Sequence, residues 1–549
     1  MDPVRQAARG LARLSCIVGL AWLGACGGGK DGGVTTPPVV TPPVDSELPR
    51  TYAPTGRASA GDTFVHLFEW RWPDIARECE VFLGPAGYKA VQVSPPQEHA
   101  VIAQGGSYPW WQRYQPVSYT LANSRSGTAA EFADMVARCR TAGVDIYVDA
   151  VINHMTAGSG NGSAGSAYTK YSYPAVPYTQ AEFHLPCSIN SYADASQVQG
   201  CELVGLADLR TEDEAVRARL AAYLIALQQL GVAGFRIDAA KHMKPRDVDN
   251  ILGRVNQAAA AAGKPRPYVF LEVVSNAGEA VTPGQYYGVG YATGGASDIT
   301  DFQYSYRISD GFLGRNGSAP AALLNTLADG LLPADKSVVF TDNHDNQRAS
   351  NIYYADAGYE QAVELMLAVP VGYPSVMSSF GFDRGSTAGR DAGPPSVGPV
   401  TTPTFDAGGA SRCTVTLGSP QQSQWICEHR RPAIAAMVRF RKVAAGAPLS
   451  KCGRSDWLIG GNPLALALCR DGAGFLALNR GTAAVSEDLP TRLPAGSYCN
   501  VAQFIYTPAA GTVPAGCTGP AVVVGADGTA RITLPAGGSV ALHGQARVG

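Results

Sequence analysis

The sequence predicts an α/β protein built on a (β/α)8 TIM barrel. Short apolar runs alternate with helical stretches along most of the chain, which is the pattern of parallel strands joined by crossover helices. Acidic residues close several of these runs, where such a barrel gathers its functional groups. The chain has 549 residues, 46% of them hydrophobic, which is enough for this barrel and for a second core.

Eight candidate strands define the barrel. They are predicted at residues 63–68, 88–93, 145–149, 232–237, 268–271, 301–304, 337–340 and 371–377, with helices at 72–83, 245–262 and 360–369 among those between them. Two further helices are predicted to begin at Thr128 and at Thr211. Each Thr is followed three residues later by a Glu, which is Glu131 in the first helix and Glu214 in the second. Each pair matches a capping box, in which the Thr hydroxyl and the Glu carboxylate satisfy free backbone N–H groups. These helices should end near Thr141 and Leu230.

Two segments depart from the strand–helix rhythm. Residues 155–207 are rich in Gly, Ser and Tyr, and a structureless loop of that length is unusual in a compact domain. We therefore expect a small inserted subdomain after strand three, between barrel segments 61–154 and 208–444. Residues 445–549 consist of short β-like runs with Gly and Pro turns, which predicts a C-terminal antiparallel β-sandwich.

The N-terminal residues predict export. Arg5 and Arg9 precede an apolar run and Cys26, so residues 1–26 are typical of a signal peptide. The four residues ending at Cys26 also resemble a bacterial lipobox; the alternative is an ordinary cleavage site with an incidental cysteine. Residues 27–60, rich in Gly, Pro and Thr, suggest a linker. The apolar run is shorter than the roughly 20 residues that span a membrane. We expect a secreted protein or a cell-surface lipoprotein, without a transmembrane segment.

Ten cysteines remain after Cys16 and Cys26, an even number in an exported chain, which predicts disulfides. Spacing alone does not fix their connectivity. It suggests mostly local pairs: Cys187 with Cys201, Cys413 with Cys427, Cys452 with Cys469, and Cys499 with Cys517, leaving Cys79 with Cys139.

The charge balance bears on the ligand. The formal net charge is −2, with 43 basic and 45 acidic residues mixed along the chain, which provides no electrostatic footprint for nucleic acid or an anionic membrane. A neutral, polar substrate fits better, and 24 Tyr and 7 Trp suit the apolar faces of sugar rings. We expect a monomer.

Carboxylates close four of the predicted strands. Asp149, Asp238 and Glu272 end the third, fourth and fifth strands, and Asp342 with Asp345 follows the seventh. Any one of them could be a helix cap or a surface carboxylate. Together they converge on one rim of the barrel, with His154, His242 and His344 in the same loops. Such a group indicates a glycosidase or a metal site.

A retaining glycosidase needs a nucleophilic carboxylate about 5 Å from a protonated carboxylic acid. Arg236 precedes Asp238 by two residues and should lower its pKa, whereas the apolar run before Glu272 should raise the pKa of that residue. The sequence therefore predicts opposite pKa shifts for the two groups.

Four motifs resemble the conserved regions of the α-amylase family, in the same order and spacing. They are Asp145-Ile-Tyr-Val-Asp-Ala-Val-Ile-Asn-His154, Gly234-Phe-Arg-Ile-Asp-Ala-Ala-Lys-His242, Phe270-Leu-Glu272 and Phe340-Thr-Asp-Asn-His-Asp345. Residues 66–72, 91–96 and 109–119 resemble the animal-type branch, to which some bacterial enzymes belong. The resemblance covers essentially everything after Gly61. It implies retaining hydrolysis of internal α-1,4-glucosidic bonds in starch, glycogen and malto-oligosaccharides.

The resemblance also implies residue roles. Asp238 would be the nucleophile, Glu272 the general acid and later base, and Asp345 the group that holds and distorts the sugar at the cleavage point. At least one of Trp110 and Trp111 should stack on a glucose ring, although buried packing is the alternative. The implied substrate-binding residues are Trp110, Trp111, Tyr114, Gln115, His154, Arg236, Lys241, His242 and His344.

Two ions enter through the same resemblance. A structural Ca²⁺ would take side-chain oxygens of Asn153 and Asp208 and main-chain carbonyls of Gln199 and His242, the all-oxygen shell that this cation prefers.

Chloride-activated relatives hold an anion with three residues, of which Arg236 and Asn343 are present here. The third, basic position is Ser375, which disfavours chloride. Residues 346–351 also lack the glycine-rich mobile loop of many relatives, so we expect reduced lid motion there.

Three other functions fit part of the pattern. A malto-oligosaccharide-forming amylase or a transglycosylase would use the same three carboxylates. A non-catalytic glucan-binding surface lipoprotein is disfavoured because all three are intact. An oxygen-ligand metallohydrolase is disfavoured because the carboxylates lack paired histidine ligands.

Overall fold

The computed structural model describes Leu48 and residues 52–104, 106–327, 332–414, 424–453, 456–510 and 514–548. The predicted signal peptide with Cys26 and most of the predicted linker lie outside the described residues. Within the described part of the chain, no helix has both the length and the apolar character needed to cross a membrane.

Eight parallel strands close into a barrel, which confirms the predicted fold class. Each strand pairs with its two neighbours in chain order, and the last pairs with the first. The strands are β1 (Phe64–Leu67), β2 (Ala90–Val93), β3 (Asp145–Ala150), β4 (Gly234–Ile237), β5 (Tyr268–Leu271), β6 (Ser297–Thr300), β7 (Ser337–Val339) and β8 (Tyr373–Ser378).

The sixth strand was predicted in the wrong place, at residues 301–304. It lies at Ser297–Thr300, and residues 302–313 form a helix. Asp301 caps this helix by accepting a hydrogen bond from the Tyr304 N–H at 3.0 Å. The true strand contains polar residues, among them Asp298, which accepts a hydrogen bond from the Tyr268 hydroxyl of the neighbouring strand at 2.9 Å. Local hydrophobicity therefore gave no signal for this strand.

Helices surround the barrel, although the segment between β5 and β6 contains only a 3₁₀ turn at Pro283–Tyr286. The first helix continues through a π turn at Cys79–Leu83 into Gly84–Ala86. The helices are α1 (Trp72–Glu78), α2 (Ala129–Thr141), α3 (Glu214–Gln229), α4 (Pro245–Ala261), α5 (Phe302–Leu313), α6 (Pro320–Thr326), α7 (Tyr359–Ala368) and α8 (Pro432–Val443).

One of the two predicted capping boxes is confirmed. The Thr128 hydroxyl accepts from the Glu131 N–H, and the Glu131 carboxylate accepts from the Thr128 N–H. The box predicted at Thr211 is wrong because Asp213 caps α3 instead. Its side chain accepts a hydrogen bond from the Ala215 N–H at 2.8 Å. Glu214 is then free to pair with Arg254 on α4.

The insertion after β3 begins and ends beside the barrel. His154–Met155 pairs antiparallel with Ala207–Asp208, so the chain leaves and re-enters at one point. A hairpin of Ser159–Asn161 and Ala167–Thr169 follows. Its turn is anchored because the buried Glu98 carboxylate accepts the N–H groups of residues 164 and 166.

Antiparallel sheets pack around a separate hydrophobic core at the C-terminus. Arg470 links them to the barrel side by donating to the carbonyls of Ala368 and Ala444, at 2.9 and 2.7 Å. The strands are β9 (Leu449–Lys451), β10 (Leu458–Ile459), β11 (Asn462–Arg470), β12 (Gly474–Asn479), β13 (Val485–Pro490), β14 (Gly496–Cys499), β15 (Tyr506–Thr507), β16 (Gly516–Cys517), β17 (Ala521–Val524), β18 (Thr529–Leu534), β19 (Ser539–His543) and β20 (Arg547–Val548).

All five suggested disulfides are formed, a content typical of an extracellular protein. They join Cys79 to Cys139, Cys187 to Cys201, Cys413 to Cys427, Cys452 to Cys469, and Cys499 to Cys517.

Residues 52–60, which composition placed in the linker, contact the barrel. The Tyr52 hydroxyl donates to Asp335 at 2.9 Å, and the Thr55 hydroxyl donates to Asp298 at 2.7 Å.

Candidate active site

The guanidinium of Arg236 lies at the centre of a carboxylate cluster at the C-terminal rim of the barrel. One terminal nitrogen contacts Asp149 at 2.5 Å and Asp238 at 2.8 Å, and the other contacts Glu272 at 2.7 Å. Strands β3, β4 and β5 are neighbours, and Arg236 is directly opposite Asp149 in the register of β3 and β4. The sheet therefore brings together two of the three predicted catalytic carboxylates.

Backbone contacts at the end of β4 position Glu272. The residue after Asp238, Ala239, has a φ of 49°, a left-handed conformation that costs a non-glycine residue of order 1–3 kcal/mol. In this conformation the Ala239 N–H donates to the Glu272 carboxylate at 2.8 Å. The Glu272 N–H in turn donates to the Ile237 carbonyl at 3.0 Å. A strained residue thus joins the loops that carry Asp238 and Glu272.

Asp345 lies on the open side of this cluster. Its carboxylate is 3.3 Å from the His344 imidazole, and 43% of its side chain is exposed. By contrast, the side chains of Asp238 and Glu272 are 10% and 13% exposed. Asp345 is therefore the carboxylate of the three that is most accessible to a ligand in the cleft.

The pKa values in the cluster are set first by burial. Burial raises the pKa of Asp238 to about 6, with the negative charge of Glu272 adding to the rise and Arg236 opposing it. Burial likewise raises the pKa of Asp149 to about 7 against the opposing charge of Arg236. The prediction that Arg236 would lower the pKa of Asp238 is therefore wrong, because desolvation outweighs the ion pair.

Tyr114, His154 and His344 form one wall of the cleft. The Tyr114 ring stacks on His344, with centroids 5.0 Å apart, and its hydroxyl donates to Asp149 at 2.9 Å. A ring nitrogen of His154 is 2.9 Å from the Tyr114 carbonyl. Burial lowers the pKa values of both histidines, so each is neutral and can donate one N–H and accept at its other nitrogen.

Trp110, Trp111 and Gln115 are all half-buried. Trp110 packs edge-on against Tyr114, and its indole N–H donates to the Arg390 carbonyl at 3.0 Å. The Gln115 carboxamide oxygen accepts from the Thr156 hydroxyl at 2.8 Å. Each of the three residues therefore retains exposed surface.

Lys241 and His242 lie on a 3₁₀ turn after β4, beside the insertion. The Lys241 ammonium is 2.5 Å from Glu279 and 4.5 Å from the centre of the Tyr192 ring. A ring nitrogen of His242 is 2.8 Å from the Val198 carbonyl. No sequence pattern indicated Glu279.

The four residues suggested for calcium lie around the base of the insertion. The antiparallel pair of His154 with Asp208 brings Asn153 and Asp208 together. Asn153 is buried, and its carboxamide oxygen has no hydrogen-bond partner in the described part of the chain. The Gln199 amide donates to the Tyr286 hydroxyl at 3.2 Å, and His242 contacts the residue before Gln199.

An unpaired buried oxygen on Asn153, next to the residue that is paired with Asp208, fits a hard cation. The same described residues contain no cluster of three or more His, Cys, Asp or Glu side chains arranged for a metal. The donor set would therefore include main-chain oxygens.

A small cavity lies beneath the cluster, lined by Arg236, Asn343 and Ser375 among others. About 20 Å³ is open to a solvent-sized group, which is enough for one water molecule. Arg236 and Asn343, the two residues with chloride-binding counterparts, therefore line one cavity. The neutral Ser375 lines the same cavity.

Besides Glu279, three residues of the site were not predicted as site residues. Asp149 was noted only as a carboxylate that closes a strand, although it joins Tyr114 to Arg236. His66 is buried on β1, with its ring centre 5.3 Å from that of His344. Arg348 packs against the rings of Trp110 and Phe382, at 5.1 and 4.3 Å. No local pattern marks such long-range contacts.

Comparisons with known proteins identify the family that this chain resembles. Residues 90–305 match the family described as alpha amylase, catalytic domain, and residues 462–545 match alpha amylase, C-terminal all-beta domain. The chain is 44% identical to an alpha-amylase of Thermomonospora curvata, over 91% of this chain and 75% of the relative. It is 41% identical to an alpha-amylase of Tribolium castaneum, over 89% and 96% respectively.

A solved structure is also similar. It is a mutant of alpha-amylase I from Eisenia fetida with a maltohexaose complex, at a TM-score of 0.77 and 36% identity, covering 91% of this chain and 99% of the other.

Removal of the Arg236 charge should destabilise the protein in a pH-dependent way. In Arg236→Gln, Asp149 and Asp238 stay buried without a cation, so their folded-state pKa values rise further above the unfolded value of about 3.9. Between those values the folded state binds more protons, and stability falls as pH rises. We expect a loss of roughly 3–5 kcal/mol at pH 7 and a smaller loss at pH 5, measured by chemical unfolding. An equal loss at both pH values would contradict this account.

Proposed function

This chain belongs to the α-amylase family and is a glycoside hydrolase, and we propose that Asp238, Glu272 and Asp345 carry out its reaction. The reaction is retaining hydrolysis of internal α-1,4-glucosidic bonds in starch, glycogen and malto-oligosaccharides. The observation that supports these roles best is that Asp238 and Glu272 both contact the single guanidinium of Arg236. A retaining enzyme requires its two carboxyl groups about 5 Å apart, and a shared guanidinium would keep them near each other.

The two groups would take different roles. Asp238 pairs with Arg236 and is ionised above a pKa of about 6, so it can attack the anomeric carbon and form a glucosyl ester. Glu272 donates its proton to the departing glycosidic oxygen. It then takes a proton from the water that hydrolyses the ester, which restores both groups.

The remaining contacts would bind the substrate. Asp345, the most exposed of the three carboxylates, would hold hydroxyls of the sugar at the cleavage point, with the neutral His154 and His344 beside it. Trp110, Trp111 and Tyr114 would offer apolar faces to glucose rings, with Gln115 next to them and Arg236 beneath. Lys241 and His242 would lie on the leaving-group side of the cleft.

Glu272→Gln tests the assignment of the general acid. We expect hydrolysis of a blocked chromogenic malto-oligosaccharide to fall by roughly 10²–10⁴-fold, because the amide cannot supply the proton. Binding of maltohexaose, measured by calorimetry, should persist. A variant with wild-type activity would contradict the role. Wild-type protein that binds maltohexaose without cleaving it would instead indicate the non-catalytic glucan-binding lipoprotein, which the comparisons do not favour.

Calcium is the metal that the family implies, and Asn153, Gln199, Asp208 and His242 would hold it. The unpaired Asn153 oxygen, and the strand pair that aligns Asp208 with the residue after Asn153, support this proposal. When bound, the ion would link the insertion to the barrel. Its role would be structural, because these residues lie beside the cleft and outside the carboxylate cluster.

Chelation should lower the melting temperature of the wild-type protein, and added Ca²⁺ should restore it. A ligand at 100 times its Kd stabilises by about 2.7 kcal/mol. Asn153→Ala provides the matched variant, since it removes an oxygen with no hydrogen-bond partner in the described residues. The variant should melt near the temperature at which the wild-type protein melts in chelator. Added Ca²⁺ should not raise the melting temperature of the variant. Wild-type protein with the same melting temperature with and without chelator would overturn the proposal.

Chloride should not be required for activity. The cavity beneath the cluster contains Arg236 and Asn343, but Ser375 supplies no positive charge there. Arg236 is already surrounded by three carboxylates, which disfavours a further anion nearby. We expect the rate to be unchanged after exhaustive dialysis into chloride-free buffer, assayed with and without added chloride. A large chloride-dependent rise in rate would show that the anion binds despite Ser375.

The proposal also covers export, domain organisation and oligomeric state. Residues 1–26 would direct export, and the five disulfides support an oxidising destination. Lipidation of Cys26, residues 155–207 as a subdomain, a C-terminal domain from residue 445 and a monomeric state remain proposals. Transglycosylation or release of one fixed oligosaccharide would show in the products formed from soluble starch.

A further inference from the structure

The segment that follows Asp345, residues 346–351, is fastened to the barrel from two sides. It contains no glycine. Arg384, from the loop after β8, donates to the carbonyls of Gln347, at 2.6 Å, and Asn351. On the other side lies Ser305, one turn into helix α5. The segment is thus held by neighbouring elements as well as by its own turn.

Ser305 is the common contact of this second side. Its hydroxyl donates to the Thr341 carbonyl at 2.8 Å, just beyond the end of β7. The same oxygen accepts the side-chain amides of Asn346 at 2.9 Å and Asn351 at 2.8 Å. The side chain of Ser305 is fully buried, and those of Asn346 and Asn351 are 6% and 3% exposed. One hydroxyl therefore joins the end of β7 to both ends of the segment.

A short hydrogen-bond path leads from Ser305 to Asp345. The Asn346 carboxamide oxygen accepts the Asn343 N–H at 2.8 Å. The Asn343 carboxamide oxygen then accepts the Asp345 N–H at 3.1 Å. If the Ser305 hydroxyl is removed, two buried amides lose an acceptor, and leaving buried donors unpaired costs about 1–3 kcal/mol per group. Asn346 directly follows Asp345 in the chain, so a shift of the Asn346 side chain would disturb the turn that holds Asp345.

We propose that Ser305 is a positioning residue for the reaction, acting through Asn346 and Asn343 to fix the orientation of Asp345 in the cleft. This inference rests on the proposed function, in which Asp345 holds the sugar at the cleavage point. Ser305 itself lies behind the cleft and contacts no substrate. Its effect is expected on kcat, because misplacement of a group that acts in the transition state lowers kcat and kcat/KM together.

The test compares three variants on α5 with a blocked chromogenic malto-oligosaccharide, well below the melting temperature of each. Ser305→Ala should lose on the order of 10-fold in kcat, since small misplacements of catalytic groups cost up to about 10²-fold. Ser305→Thr keeps the hydroxyl and should recover most of the rate. Ser309→Ala is the matched control: Ser309 is also buried and accepts only the Ile352 N–H among the contacts seen, so its kcat should not change.

A double-mutant cycle separates positioning from general destabilisation. In an Asp345→Asn background, Ser305→Ala should cause no further loss of kcat, because the group it orients is already gone. Additive losses in this cycle, an unchanged kcat in Ser305→Ala, or equal losses in Ser305→Ala and Ser309→Ala would overturn the inference. If Ser305→Ala does not fold, Asn346→Ala breaks the same path, and the same outcomes decide.

The proposed function and the positioning role of Ser305 would be refuted by different results. Wild-type protein that does not cleave the substrate would refute the proposed roles before any serine variant is measured. Wild-type cleavage combined with full activity of Ser305→Ala would refute only the positioning role.

Discussion

The ion cluster around Arg236 is the constraint on which the site depends. Three carboxylates converge on one guanidinium, and all four side chains come from three adjacent strands or the residues that directly follow them. The arrangement follows from strand register, since Arg236 is opposite Asp149 and the strand ends bring Asp238 and Glu272 to the same height. A slip by one residue would turn Arg236 to the opposite face of its strand and separate the carboxylates. Chemistry and barrel register are therefore specified together.

The same cluster explains the electrostatics of the cleft. Burial disfavours every charge in it, and the single cation compensates only partly, so Asp149 and Asp238 have raised pKa values. The side chains of Tyr114 and His344 stack on one side of the cleft and carry no charge there. Dipoles and hydrogen bonds that are already oriented need little rearrangement when charge develops in a substrate. The strained backbone at Ala239 is consistent with this arrangement, because its N–H is directed at Glu272.

The sequence predicted the barrel and its functional rim because parallel strands end on one side, so acidic residues that close successive strands must meet. It could not reveal contacts that depend on distant segments. The partners of Asp298 on the polar strand β6 are the hydroxyls of Thr55 and Tyr268, which lie on other segments. The helix start at Asp213 was hidden by a competing Thr–Glu pair. The pKa of Asp238 was mispredicted for the same reason: the sequence shows a neighbouring Arg236 but does not show how completely both are buried. The Ser305 contacts likewise join residues that are 41 and 46 positions apart.

The closure of the insertion by the pair of His154–Met155 with Ala207–Asp208 has an evolutionary consequence. A segment whose ends are already adjacent can change length at little entropic cost to the rest of the chain. Lengthened, shortened or exchanged segments could be accommodated there without moving β3 or α3. The insertion beside the cleft can thus diversify in sequence while the carboxylate cluster stays unchanged. This makes the insertion a suitable position for grafting new recognition surfaces.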